Sequence, residues 1–102
     1  NIADHGGLQV SYHAFKKAME TAPLEVVDGF TPEQRFFLAY ANVWAGNIRP
    51  EEILRLTKLD PHSLGKWRVD GALPHIANWY EAFNITEQDS MFVPKEKRVS
   101  IW

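Results

Sequence analysis

The most constraining feature of this sequence is a helix-start signal in its first half. Thr31 suits the N-cap, Pro32 suits the first helical position, and Gln34 can complete a reciprocal capping box with Thr31. The turns that follow carry an apolar stripe, which consists of Phe36, Phe37, Tyr40, Val43 and Trp44. This spacing predicts a core helix that ends near Gly46.

Three other segments have helical spacing. Apolar residues recur every three or four positions between residues 8 and 19, and Gly6-Gly7 just before them predicts a turn. A shorter amphipathic segment begins at Pro50 and ends near residue 58, and another begins at Pro74. Residues 86–102 are charged and have no helical period, so an irregular tail is expected.

Residues 60–71 mix helix breakers with polar side chains. They predict a long polar loop between the third and fourth helices, with a short extended piece around residues 67–69. No alternating strand pattern longer than three or four residues occurs. We therefore predict an all-α fold of four helices, in which residues 1–102 form a single unit.

Composition and charge exclude several classes of protein. The 102 residues contain no cysteine, which excludes disulfides, thiolate zinc sites and cysteine nucleophiles. The net charge of −2 argues against a protein whose main task is to bind a phosphate backbone, so no nucleic-acid partner is expected. No apolar run approaches the roughly 20 residues of a membrane span, and no signal peptide is visible.

The four histidines are the side chains best suited to proton chemistry at neutral pH. None of them forms a His-Glu-x-x-His pattern with another. His62 stands out because Asp60 lies two residues before it and Arg68 six residues after it. A carboxylate can fix the tautomer of an imidazole, and arginine adds a permanent cation, so this loop could surround a developing oxyanion. An ordinary solvated loop is the alternative. The other three histidines are expected to be ordinary surface or core residues: His5, His13 and His75.

A second pattern competes for the same residues. Residues 56–74 are similar to the recognition stretch of small excisionase-type DNA-binding proteins. Only Lys66 and Arg68 are basic there, and Asp60 and Asp70 flank them, whereas a helix that reads a DNA groove should carry more positive charge. A small winged-helix-like DNA-binding or interaction module is therefore the alternative function.

Several blocks occur in the order and spacing of one known family. Residues 1–8 read Asn-Ile-Ala-Asp-His-Gly-Gly-Leu, and the first seven of them match the part of the family pattern Glu-Asn-Ile-Ala-Asp-x-Gly-Gly that follows its glutamate. Residues 60–69 read Asp-Pro-His-Ser-Leu-Gly-Lys-Trp-Arg-Val, where the family has Asp-x-His-Ser-Pro-Gly-Asn-Phe-Arg-x. Residues 30–38, 43–46, 49–51 and 93–102 are similar to further blocks. The chain resembles the C-terminal segment of the neprilysin and endothelin-converting-enzyme family of zinc metallopeptidases, whose catalytic domain is a mainly helical zincin-type fold.

This resemblance implies that zinc is bound by residues outside the chain. In the family two histidines of His-Glu-x-x-His and the glutamate of Glu-x-x-x-Asp hold the metal, and that glutamate would immediately precede Asn1. Asp4 matches the aspartate, which accepts the second N–H of a ligand imidazole and orients the ring. This role requires a helix that runs through Gly6-Gly7. Without the resemblance, Asp4 would be expected to cap a helix.

The resemblance also implies roles for the polar loop. His62 matches the histidine that donates to the oxyanion, Arg68 matches the arginine that holds a substrate carbonyl, and Asp60 is the expected orienting partner of His62. The implied reaction is hydrolysis of a peptide bond by zinc-activated water, and the implied partners are a peptide substrate and the preceding part of the same polypeptide.

Three positions depart from the family pattern. Vertebrate members have cysteine at Ala45 and Val99, so those disulfides are absent here. Leu64 replaces the usual proline after Ser63, while Pro61 precedes His62. The resemblance implies a periplasmic, secreted or cell-surface location, with membrane attachment only through segments outside this chain.

Overall fold

Helices account for most of the part of the chain that the structure describes, residues 1–101 of a computed structural model. In chain order they are α1 (Ile2–Thr21), α2 (Pro32–Trp44), α3 (Pro50–Leu59), α4 (Gly65–Asp70) and α5 (Ala77–Phe83). A 3₁₀ turn at Leu73–His75 lies between α4 and α5, and a second one at Lys95–Lys97 follows α5. Within these residues the β-type pairing is one isolated bridge between Val27 and Phe30. The all-α prediction is confirmed.

The start of α2 is the one that the sequence predicts. The Thr31 hydroxyl accepts from the Gln34 amide at 3.2 Å, and Gln34 Oε1 accepts from the Thr31 amide at 3.0 Å. Pro32 occupies the first turn, where its missing N–H costs nothing. Gln34 Nε2 also donates to the Ala82 carbonyl oxygen at 2.9 Å, so the cap connects α2 to α5.

The turn expected at Gly6-Gly7 is wrong, because α1 continues through both glycines. Glycine costs about 1 kcal/mol relative to alanine inside a helix. Leu8 and Tyr12, one turn apart on the same helix face, are only 5% and 4% exposed. Their burial outweighs this cost and keeps α1 continuous.

The expected loop between the third and fourth helices is also wrong in part. Residues 65–70, which include the piece predicted to be extended, form α4, so the described chain has five helices where four were predicted. A Cβ on Gly65 would lie 2.6 Å from the Trp44 carbonyl oxygen. Glycine therefore allows α4 to begin directly against the end of α2.

The last predicted helix begins later than expected. Pro74 lies in the 3₁₀ turn Leu73–His75, and α5 starts at Ala77. The hydroxyl of Tyr80 donates to the Pro74 carbonyl oxygen at 2.6 Å, which fixes this turn against α5.

One aromatic-rich core holds these elements together. Phe37 and Ile76 are 1% and 0% exposed, and the ring of Phe37 stacks on that of Tyr12 with centroids 5.3 Å apart. The remaining buried members of this cluster are Leu8, Leu73, Trp79 and Tyr80. The tail packs against the core through Arg98, whose guanidinium lies 3.6 Å from the centre of the Tyr80 ring.

No helix of residues 1–101 is both long enough and apolar enough to cross a membrane. Trp102, which matches the last residue of the family pattern, lies outside the described residues.

The capping box gives a direct test of the fold. We expect Thr31→Ala to lower the free energy of unfolding by about 1 kcal/mol, because the Gln34 amide loses its acceptor. Thr31→Asp is the control, since a carboxylate can accept from the same amide. Chemical denaturation measures both variants, and equal losses in the two would contradict the role of the cap.

Candidate active site

An arginine–aspartate pair joins the first turn of α1 to α4. Arg68 Nε donates to Asp4 Oδ2 and Arg68 Nη2 donates to Asp4 Oδ1, each at 2.7 Å. The two side chains are 13% (Asp4) and 20% (Arg68) exposed. This bidentate contact fixes the orientation of both planar groups and is stronger than a single hydrogen bond.

Two residues of α2 also contact Arg68. Its guanidinium lies 3.8 Å from the centre of the Trp44 ring, which is a cation–π contact. The Tyr40 hydroxyl donates to the Arg68 carbonyl oxygen at 2.9 Å. Arg68 is therefore held at both its backbone and its side chain.

The electrostatics keep the Asp4–Arg68 pair ionised. The hydrogen bonds from Arg68 lower the pKa of Asp4, and the partial burial of the carboxylate opposes this shift. The hydrogen bond to Asp4 in turn raises the pKa of Arg68.

This pairing leaves hydrogen-bonding capacity on both side chains. Arginine has five N–H donors, and two of those of Arg68 point to Asp4. Each carboxylate oxygen can accept more than one hydrogen bond. Asp4 can therefore accept a further N–H, and Arg68 can donate to a further carbonyl.

Asp60 and His62 form a second pair in the loop before α4. Asp60 Oδ1 accepts from the His62 amide at 2.9 Å and lies 2.8 Å from His62 Nδ1. The amide and then the ring of His62 lower the pKa of Asp60. An ionised Asp60 favours the tautomer with the proton on Nδ1, and the side chain of His62 is 69% exposed. The other ring nitrogen, Nε2, is then free for another contact.

Asn1 and Ser63 connect the two pairs. Asn1 Nδ2 donates to Ser63 Oγ at 2.6 Å, so the residue after His62 is tied to the start of the helix that carries Asp4. Asp4 is thus hydrogen-bonded directly to Arg68, and Asp60 is hydrogen-bonded directly to His62. The structure brings the second pair to the same end of α1.

The described residues do not form a metal site by themselves. No group of three or more histidine, aspartate or glutamate side chains in residues 1–101 converges on one point. The donor set that is present suits the support of a metal ligand from another segment, because Asp4 has unused acceptor capacity.

A pair of histidines is a feature that the sequence analysis missed. The rings of His5 and His75 are 5.3 Å apart, and they line a cavity of about 220 Å³ together with Trp67 and Arg68. His5 is 6% exposed and its Nε2 has no hydrogen-bond partner, while His75 Nδ1 accepts from the Val99 amide at 3.0 Å. Nothing in the local sequence around either histidine signals this contact.

Comparison with solved structures defines the class of protein. The zinc metalloprotease Zmp1 of Mycobacterium tuberculosis in its open state superposes with a TM-score of 0.92 and 36% identity over 99% of this chain. The complex of Zmp1 with an inhibitor gives a TM-score of 0.90 and 35% identity over 97% of this chain. The fold is that of a segment of a zinc metalloprotease.

The sequence comparisons define the family. Peptidase family M13 matches residues 1–99, and the chain belongs to this family. Over the whole chain, membrane metallo-endopeptidase-like 1 of Homo sapiens is 40% identical and neprilysin of Homo sapiens is 38% identical. The chain spans 13% and 14% of the length of these two relatives and 16% of Zmp1 in its open state.

The DNA-binding alternative is not favoured. α4 has only six residues, and Arg68, one of its two basic residues, is bonded to Asp4. A helix of this kind does not offer the free positive charge that binding to a phosphate backbone needs.

The buried histidine predicts an acid-sensitive fold. Burial, and then the neighbouring His75, lower the pKa of His5, so the unfolded chain binds more protons at this residue than the folded chain does. This contribution to stability is present above about pH 6.5, the ordinary pKa of histidine, and is lost as the pH falls towards the lowered value. We expect His5→Asn to reduce the loss of stability between pH 7.5 and pH 5.

Chemical denaturation at a series of pH values measures this effect. The matched control is His13→Asn, because His13 lies on the same helix and is exposed. An equal pH dependence in the wild-type protein and the His5→Asn variant would contradict the prediction.

Proposed function

We propose that this segment supplies supporting, oxyanion-binding and substrate-binding groups to the active site of a zinc metalloendopeptidase. The observation that carries the proposal is the Asp4–Arg68 pair, which has unused acceptors on one side and unused donors on the other. The zinc ligands lie outside residues 1–102, and zinc there supplies Lewis acidity and an activated water for peptide hydrolysis.

Asp4 orients a zinc ligand in this proposal. Its carboxylate stays ionised beside Arg68, and it accepts the second N–H of a ligand histidine from the preceding part of the polypeptide. The bonds to Arg68 hold the carboxylate in one orientation, so the imidazole is held in one orientation as well.

His62 stabilises the negative oxygen of the tetrahedral intermediate. Asp60 Oδ1 lies 2.8 Å from His62 Nδ1 and holds a proton on that nitrogen. The same contact fixes the orientation of the ring and therefore the direction of Nε2. When Nε2 carries a proton, the ring donates to the oxyanion.

Arg68 holds a backbone carbonyl of the peptide substrate. Its Nε and one N–H of Nη2 are taken by Asp4, which leaves the remaining N–H groups for the carbonyl oxygen. Trp44 covers one face of the guanidinium and limits its motion.

The partners and location follow from this assignment. Residues 1–102 form the C-terminal part of the peptidase catalytic domain and pack against the preceding part of the same polypeptide. The substrate is a peptide, and the enzyme acts in a periplasmic, secreted or cell-surface location.

Kinetics of the full-length peptidase test the proposed roles. We expect His62→Ala to lower kcat by about 10²- to 10³-fold, because one oxyanion donor is lost. We expect Arg68→Ala mainly to raise KM, because a contact with the bound substrate is lost.

Matched controls lie on other parts of the chain. His13→Ala changes an exposed histidine of α1, and Arg55→Ala changes an arginine that is paired with Glu52 on α3. Wild-type kinetics in both His62→Ala and Arg68→Ala would reject the proposed roles.

A second test concerns metal binding. We expect isolated residues 1–102 to bind no zinc at sub-micromolar concentration, because the described residues form no metal-binding group. Isothermal titration calorimetry measures this, and circular dichroism of the same sample checks that the helices are present. A stoichiometric sub-micromolar site would show that the segment holds zinc itself.

A further inference from the structure

The helix that carries Arg68 is too short to be stable on its own. α4 has six residues, and none of them is fully buried. Isolated helices shorter than about 12 residues are marginal in water, so α4 depends on contacts with the rest of the chain. These contacts come chiefly from α2.

Trp44 fixes the beginning of α4 and the side chain of Arg68. Gly65 lies so close to the Trp44 carbonyl oxygen that a Cβ would reach within 2.6 Å of it, and the Trp44 ring lies 3.8 Å from the Arg68 guanidinium. Neither contact fixes the backbone at the end of α4, where Arg68 itself is located.

Tyr40 provides the missing contact. In a longer helix the amide of Ala72 would bond the Arg68 carbonyl oxygen, but here it donates to the Val69 carbonyl oxygen at 3.2 Å. Carbonyl groups in the last turn of a helix need partners from elsewhere. The Tyr40 hydroxyl donates to the Arg68 carbonyl oxygen at 2.9 Å from the α2 position one turn before Trp44.

We infer that Tyr40 is a positioning residue for substrate binding, because its hydroxyl fixes the backbone of Arg68 and thereby aims the guanidinium past Asp4 towards the substrate carbonyl. This inference rests on the proposed role of Arg68. Tyr40 acts through Arg68 and does not itself touch the substrate.

The ionisation of Tyr40 suits this task. Burial, and then the negative charge of Asp4, raise the pKa of the Tyr40 hydroxyl. The hydroxyl therefore keeps its proton at neutral pH and remains a hydrogen-bond donor.

The first test is Tyr40→Phe in the full-length peptidase, which removes the hydroxyl and keeps the ring. We expect KM for a peptide substrate to rise about five- to tenfold, the size typical for one lost hydrogen bond, with kcat within about twofold of wild type. The matched control is Tyr12→Phe, a buried tyrosine that packs on Phe37 away from Arg68. A wild-type KM in Tyr40→Phe would overturn the inference.

A double-mutant cycle separates positioning from general stability. In an Arg68→Ala background, Tyr40→Phe should cause no further rise in KM, because the group that it positions is absent. Additive rises in KM would mean that Tyr40 acts independently of Arg68, and would overturn the inference. If Arg68→Ala alone has a wild-type KM, the proposed role of Arg68 fails as well, so the two failures are distinguishable.

Hydrogen exchange gives a readout that does not depend on catalysis. The amides of residues 65–71 should exchange faster in Tyr40→Phe than in wild type, whereas Tyr12→Phe should leave them unchanged. Wild-type exchange at these amides in Tyr40→Phe would show that the hydroxyl does not hold α4, and would overturn the inference.

Discussion

The bond between Asp4 and Arg68 is the interaction on which the arrangement of the site depends. It connects residues 64 positions apart, and each of its two hydrogen bonds is 2.7 Å long. It fixes the first turn of α1 to α4, and Asn1 and Ser63 extend the same junction to the loop of His62. Both candidate pairs are thus located at the N-terminal end of α1, beside which the family resemblance implies a zinc ligand.

The core and the site use the same helices in different ways. Tyr12 in the middle of α1 and Phe37 in the middle of α2 are buried against α5. The first turn of α1 and the last turn of α2 instead contact Arg68. The rigid core therefore sets the distance between Asp4 and Trp44, which hold the guanidinium from two sides. In the function that we propose, a site built in this way needs little additional ordering when a substrate binds.

Local signals in the sequence account for much of the fold and for part of the site. The capping box at Thr31 and the short-range pair of Asp60 and His62 involve residues close in the chain, so spacing alone reveals them. The helix through Gly6-Gly7, the helix α4 and the contact of His5 with His75 depend on partners far away in sequence. No periodicity encodes such contacts. For Gly6-Gly7 and for the residues of α4, intrinsic propensity favours turns and loops instead of a helix. Family resemblance selected Asp4 and Arg68 for one site but gave no indication that they bond to each other.

The partial use of the donors of Arg68 has a consequence for ligand preference. Because Asp4 already compensates the guanidinium charge, the free N–H groups are directional donors with little net attraction for an anion. A neutral amide oxygen in the interior of a peptide meets this requirement, whereas a terminal carboxylate would also face repulsion from Asp4. In the role that we propose for Arg68, the pairing disfavours anchoring at the end of a chain and suits cleavage at internal bonds.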